Sequence, residues 1–117
     1  MDIVYGAGFK RQLRRLARRY RRIKQDLEPI ITALKNGETP GDQLTGQGYV
    51  LYKVRAQNSD SQRGKSGGYR IIYYLKTDTR CALVTIYSKS DQSDITPTVL
   101  QKLIADIENE IKQKHGE

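Results

Sequence analysis

The spacing of apolar residues changes period along the chain, and each change predicts a new element. A short apolar run from Asp2 to Tyr5 predicts a strand, with Gly6 and Gly8 in a turn after it. Phe9, Leu13, Leu16, Ala17 and Tyr20 then recur at three- and four-residue intervals, the stripe of an amphipathic helix whose other faces are mostly arginine. A second stripe, Leu27, Ile30, Ile31 and Leu34, follows a break placed at Lys24–Asp26. Asp26 is read as its cap and Pro29 as part of its first turn, where a missing N–H costs little. Gly37 closes it. The two stripes predict an antiparallel helix pair resting one apolar side on a sheet.

Thr39 to Gly48 is turn-rich, with Pro40, Gly41, Gly46 and Gly48. Tyr49 to Arg55, Tyr69 to Lys76 and Arg80 to Lys89 are rich in aromatic and branched residues and predict three strands. Residues 56–68 form a polar, glycine-rich loop between the first two, and Thr77–Thr79 a turn between the last two. Thr96-Pro97 occupies the N-cap and first positions of a final helix striped by Val99, Leu100, Leu103, Ile104, Ile107 and Ile111. The expected fold is α+β, a small antiparallel sheet packed by two N-terminal helices in the order β-α-α-β-β-β-α. At 117 residues it forms one domain, 1–117.

Charge changes this picture most. The chain carries +8 overall, but residues 10–24 alone hold nine Lys or Arg and no acid. Residues 53–89 add a second basic block of +6, while 25–52 and 90–117 are each −3. The first block alone reads as readily as a solvated helix face. Two blocks in different secondary structure favour a polyanion, and nucleic acid above all. With 37% apolar residues and no run of the roughly 18 to 20 that a bilayer span needs, no membrane role is expected. MDIVYGAGFKRQLRR lacks the apolar core of a secretory signal, and a lone Cys81 makes no internal disulfide, so a cytoplasmic location is expected. One cysteine and one histidine, His115 near the C-terminal end, provide no zinc set, and no cofactor or metal is expected.

The strand period places Tyr49, Leu51, Lys53 and Arg55 on one face; Arg70, Ile72 and Tyr74 on one face; and Thr85, Tyr87 and Lys89 opposite Val84, Ile86 and Ser88. For any one cation the simplest reading is a strand end reaching water. An antiparallel sheet in sequence order would instead bring Lys53, Arg55, Arg70 and Lys89 together with Tyr87. A site of that composition has almost no carboxylates, which argues against paired-acid hydrolysis, and His115 is poorly placed for a Ser-His-Asp arrangement. R-G-K-S-G-G lacks the first glycine of a phosphate-binding P-loop and precedes a strand, so nucleotide binding of that type is not expected. Lys, Arg and Tyr suit a phosphodiester: guanidinium groups stabilise charge on a pentacovalent phosphorus, and neighbouring cations would lower the Tyr87 pKa towards that of a base.

The strand Tyr52-Lys53-Val54-Arg55, the run from Arg63-Gly64-Lys65 through Gly67-Gly68-Tyr69-Arg70-Ile71-Ile72-Tyr73-Tyr74, and Ile86-Tyr87-Ser88-Lys89 resemble the RelE/ParE toxin superfamily, nearest its RelE-like, HigB-type branch. The resemblance spans most of the chain. It implies a type II toxin–antitoxin toxin that cuts mRNA in the ribosomal A site. Lys53, Arg55, Arg70 and Lys89 match basic positions of the family's site, with Arg70 stabilising the transition state. Relatives carry arginine where this chain has Ser90, and a catalytic tyrosine where it has Asp91 to Thr96; Tyr87 is the nearest replacement. The expected activity is a metal-independent, ribosome-dependent endoribonuclease, with Arg63, Lys65, Arg11, Arg14, Arg15, Arg18, Arg19 and Arg22 contacting RNA. The alternatives are a non-enzymatic, ParE-like inhibitor of DNA gyrase and a plain RNA-binding module. The expected partners are ribosome, mRNA and a neutralising antitoxin with a helix-turn-helix domain.

Overall fold

The apolar stripes and strand runs assemble into a five-stranded sheet with helices on both faces. The computed structural model describes residues 1–60, 68–92 and 94–115, and side chains as far as residue 113. In chain order its elements are β1 (Asp2–Tyr5), α1 (Ala7–Ala17), α2 (Ile23–Lys35), β2 (Asp42–Leu44), β3 (Leu51–Ala56), β4 (Tyr69–Thr77), β5 (Arg80–Ser88) and α3 (Pro97–His115). The sheet order is β1-β5-β4-β3-β2. Strands β2 to β5 are antiparallel neighbours, and β1 lies parallel to β5, pairing Ile3 with Cys81.

Helices α1 and α2 cover one face, where Phe9, Leu16, Ile23, Leu27, Ile30 and Leu34 pack against Ile71, Tyr73, Leu83 and Ile86. Helix α3 covers the other, with Leu100, Ile104, Ile107 and Ile111 against Leu51, Ile72, Tyr74, Val84 and Tyr87. Two covered faces explain why β4 and β5 read as nearly continuous apolar runs: both sides of each strand enter a core. Between β4 and α3, Glu108 accepts hydrogen bonds from the Tyr74 hydroxyl and from Lys76 Nζ, the latter at 2.9 Å.

The structure departs from the expected order by one strand. β2 lies within the predicted turn-rich stretch, and three residues are too few to show a period. Gly41, at φ +97°, lets it start against β3, because a Cβ there would meet the Lys53 carbonyl oxygen at 2.5 Å.

The second helix also starts earlier than expected. Its break falls at residues 18–22, Asp26 is not its cap, and Pro29 lies inside the helix, beyond the first turn. Ile23 is the reason: it is fully buried and extends the stripe to 23, 27, 30 and 34. An interior proline costs about 3 kcal/mol, which burial of Ile23 offsets by about 1.5–3 kcal/mol. Hydrogen bonds from the neighbouring loop add to this. Asp60 Oδ2 accepts from the Arg22 N–H at 2.7 Å, and Asp26 accepts from Ser59 N and Oγ at 2.9 and 3.0 Å. Gly37 ends the helix as expected. At φ +85° its N–H reaches Leu34 O and the next N–H reaches Ala33 O, closing the last turn.

A bulge in β5 corrects the face assignment there. Ile72 pairs with Thr85 but Tyr73 pairs with Leu83, so Val84 is the extra residue. It was expected opposite Thr85 and Tyr87, yet it packs in the α3 layer beside Tyr87. The bulge turns the polar end of β5 onto the face that Ala82 and Val84 begin.

Candidate functional site

Register decides which side chains meet. Arg55 pairs with Arg70 and Arg70 with Tyr87, so these three form one row across β3, β4 and β5. The next row is Lys53, Ile72 and Thr85. Directly opposed residues share a face, so Lys53, Arg55, Arg70 and Tyr87 stand together on the α3 side. Lys89 follows β5, and its N–H donates to Gly68 O at 2.9 Å, holding it beside the start of β4. Gly68, at φ +86°, lets β3 approach from the other side, since a Cβ there would lie 2.7 Å from Ala56 O.

Arg70 is half-buried, with one guanidinium nitrogen 3.3 Å from Tyr69 O, and Arg55 is exposed. The ring of Tyr87 is buried and its hydroxyl donates to Asp94 Oδ1 at 3.3 Å. Its pKa is pushed up to about 12, by burial first and by the Asp94 carboxylate second, against the opposing pull of Arg70. This reverses the expected direction. Loss of solvating water and a facing carboxylate outweigh one guanidinium, so the resting hydroxyl keeps its proton.

Asp94 also corrects the expectation of a site almost without carboxylates. Its Oδ1 accepts from the Ile95 N–H at 2.8 Å and from Lys53 Nζ at 3.5 Å, in addition to Tyr87. The Ile95 N–H, followed by Lys53, holds the carboxyl below the usual carboxylate range despite some desolvation. No period marks residues 89–96, so pattern reading passes over Asp94. The signal for it is that this segment holds acids where the resemblance implies a tyrosine. A groove of about 400 Å³ runs on from Lys53, Ile72 and Asp94 past Ile95 and Leu100 to Gln43 on β2.

The basic stretch belongs to the helix layer of the other face, although Arg11 lines a groove with Leu103 and Asp106 of α3. Arg11, Arg14 and Arg15 are exposed on α1, while Arg18, Arg19 and Arg22 belong to the turn after it. That turn makes a concave corner lined by Ala17, Arg18, Arg21, Ile23 and Lys24. Arg21 and Lys24 were not singled out in the sequence. Arg19 lies 4.9 Å from the centre of the Tyr20 ring and donates to Asp91 at 3.1 and 3.3 Å, linking this corner to the segment after β5. Arg63 and Lys65 lie outside the described residues. Among the described residues no three His, Cys, Asp or Glu side chains gather as a metal set, and no helix is long and apolar enough to cross a membrane.

Lys53, Arg55 and Arg70 gather here with a protonated phenol and one ionised carboxylate, a set whose chemistry suits binding and polarising an anion. With this geometry in hand, comparison with known families is specific: residues 9–114 match the family model described as the RelE toxin of the RelE/RelB toxin–antitoxin system.

Proposed function

Because the chain belongs to the RelE toxin family, whose members pair with an antitoxin in toxin–antitoxin systems, we propose that it is a ribosome-dependent endoribonuclease that cuts mRNA in the A site. The observation that carries this reading is the row Arg55, Arg70 and Tyr87, with Lys53 in the next row. A phosphodiester laid along it meets two guanidinium groups and a hydroxyl. The 2′-oxygen of RNA attacks the adjacent phosphorus, the bond to the 5′-oxygen breaks, and a 2′,3′-cyclic phosphate and a 5′-hydroxyl form. Arg70 and Arg55 hold the nonbridging oxygens as charge builds on them. Tyr87, protonated at rest, gives its proton to the departing 5′-oxygen, an alkoxide more basic than a phenolate. The 2′-hydroxyl proton passes to water, while the Lys53 and Lys89 ammonium groups add positive charge beside the phosphate. The exposed arginines of α1 and its corner dock on ribosomal RNA, and the antitoxin carries a helix-turn-helix domain.

A transcriptome-wide map of RNA ends after brief expression tests this. Cuts inside translated codons, lost when initiation is blocked, are expected. DNA breaks would point to gyrase, and the absence of both to an RNA-binding module without cleavage.

A further inference from the structure

Three donors converge on one oxygen of the protein itself. Asp94 Oδ1 receives the Ile95 N–H, the Tyr87 hydroxyl and the Lys53 ammonium at 2.8, 3.3 and 3.5 Å. A carboxylate oxygen and a nonbridging phosphate oxygen attract the same donors at the same distances. We infer that this position is an anion site for a phosphate oxygen of RNA, filled in the free protein by the chain's own Asp94, which therefore competes with RNA. The identity of the polyanion rests on the endoribonuclease reading above.

Two features favour a competitor over a proton acceptor. The carboxyl is held ionised more firmly than an ordinary aspartate, which makes it a weak base, and it makes the Tyr87 proton harder to remove. Its hold is also easily exchanged. The Asp94 side chain is 63% exposed and its contacts with Lys53 and Tyr87 are long, so an entering phosphate gives up little by displacing it. A phosphate bound beside an unmoved Asp94 would face a like charge across a few ångströms.

Asp91 provides an internal control. It is also an aspartate after β5, but its carboxylate holds Arg19 at the basic corner. Asp94→Asn and Asp91→Asn change the net charge equally, and only the first empties the anion site of charge. The measurement is fluorescence anisotropy of a single-stranded RNA decamer with 2′-O-methyl groups, which binds but supplies no nucleophile, in the absence of ribosomes. Asp94→Asn should bind about ten-fold tighter than wild type, and Asp91→Asn within about three-fold of it. Asp94→Ser, which also lacks the charge, should follow Asp94→Asn and guards against a folding defect in one variant. The inference is overturned if Asp94→Asn binds as wild type or more weakly, if both asparagine variants tighten equally, or if no variant binds the RNA. Cleavage on programmed ribosomes is scored separately. Its absence in the wild type sinks the endoribonuclease reading, while the affinities still decide whether Asp94 competes.

Discussion

Tyr87 has two possible tasks: packing its ring and moving a proton. Its ring fills the α3 layer and its hydroxyl reaches Asp94, so Tyr87→Phe keeps the packing and removes one oxygen. We expect cleavage of ribosome-bound mRNA to fall by about 10² or more, with the melting temperature within a few degrees of wild type. Cleavage near the wild-type rate would leave Tyr87 a packing residue and pass proton transfer to Lys53 or Lys89. Arg70 sits at the centre of the row, between Arg55 and Tyr87. Arg70→Ala should reduce cleavage by about 10² to 10³, the usual loss when one transition-state donor is removed. Cells expressing it should grow, and arrest as fast as with wild type would refute the role. Their shared face is legible from an antiparallel pairing of neighbouring strands, which sets Arg70 opposite Tyr87. The sign of the Tyr87 pKa shift is not legible in the same way, because nearby cations can be counted along a sequence and burial cannot.

At the scale of elements, legibility follows length and regularity. The three long strands and the last helix were readable from runs of six residues or more. β2 was not, with three residues and no period, and neither was the β5 bulge, which exists only as a mismatch between two strands. α2 starts before the local capping signals at Asp26 and Pro29 because burial of Ile23 outweighs them. Asp94 was missed because it lies in an irregular segment, where position depends on the fold around it. The glycine before β4 offers a test of how the site row is built. Gly46 and Gly68 both have positive φ, at +80° and +86°, but a Cβ meets nothing within 4 Å at Gly46 and a backbone oxygen at 2.7 Å at Gly68. Gly46→Ala should cost about 1 kcal/mol, from the left-handed backbone alone. Gly68→Ala should cost at least about 2 kcal/mol, adding displacement of β3 from β4. Urea denaturation of the two variants makes the comparison, and equal losses would show that the Ala56 carbonyl yields easily.

Across the whole molecule, the arginines of the turn after α1 and the row cations Lys53, Arg55 and Arg70 are separate groups, and Arg19 ties the first to the segment after β5 through Asp91. That arrangement lets docking and cleavage be separated by mutation. Replacing Arg14, Arg18 and Arg22 with Gln removes three exposed charges outside the apolar stripe. Circular dichroism should be unchanged, and ribosome co-sedimentation should weaken, with a flatter dependence on salt than the wild type's. Undiminished co-sedimentation would make this a solvated face. Stability at high pH follows from the buried phenols. Burial raises the pKa of Tyr69, Tyr73, Tyr74 and Tyr87, the last to about 12. The unfolded chain therefore loses those protons first, and stability that is complete below about pH 10 declines as pH rises towards 12. Each tyrosine contributes at most about 1.4 kcal/mol per pH unit in that window. Urea midpoints should fall from pH 9.5 to 11.5, and a flat profile would contradict the burial.

The parallel pairing of β1 with β5 joins Asp2 to Arg80, 78 residues later. A chain emerging at about 5–20 residues per second makes β1 wait roughly 4 to 16 s for its partner strand to be synthesised. Tyr87 is on that same late strand, and the helix that covers its face comes later still. The row of Arg55, Arg70 and Tyr87 is therefore a late product of synthesis: Arg55 and Arg70 wait on their own strands until β5 and then α3 have emerged.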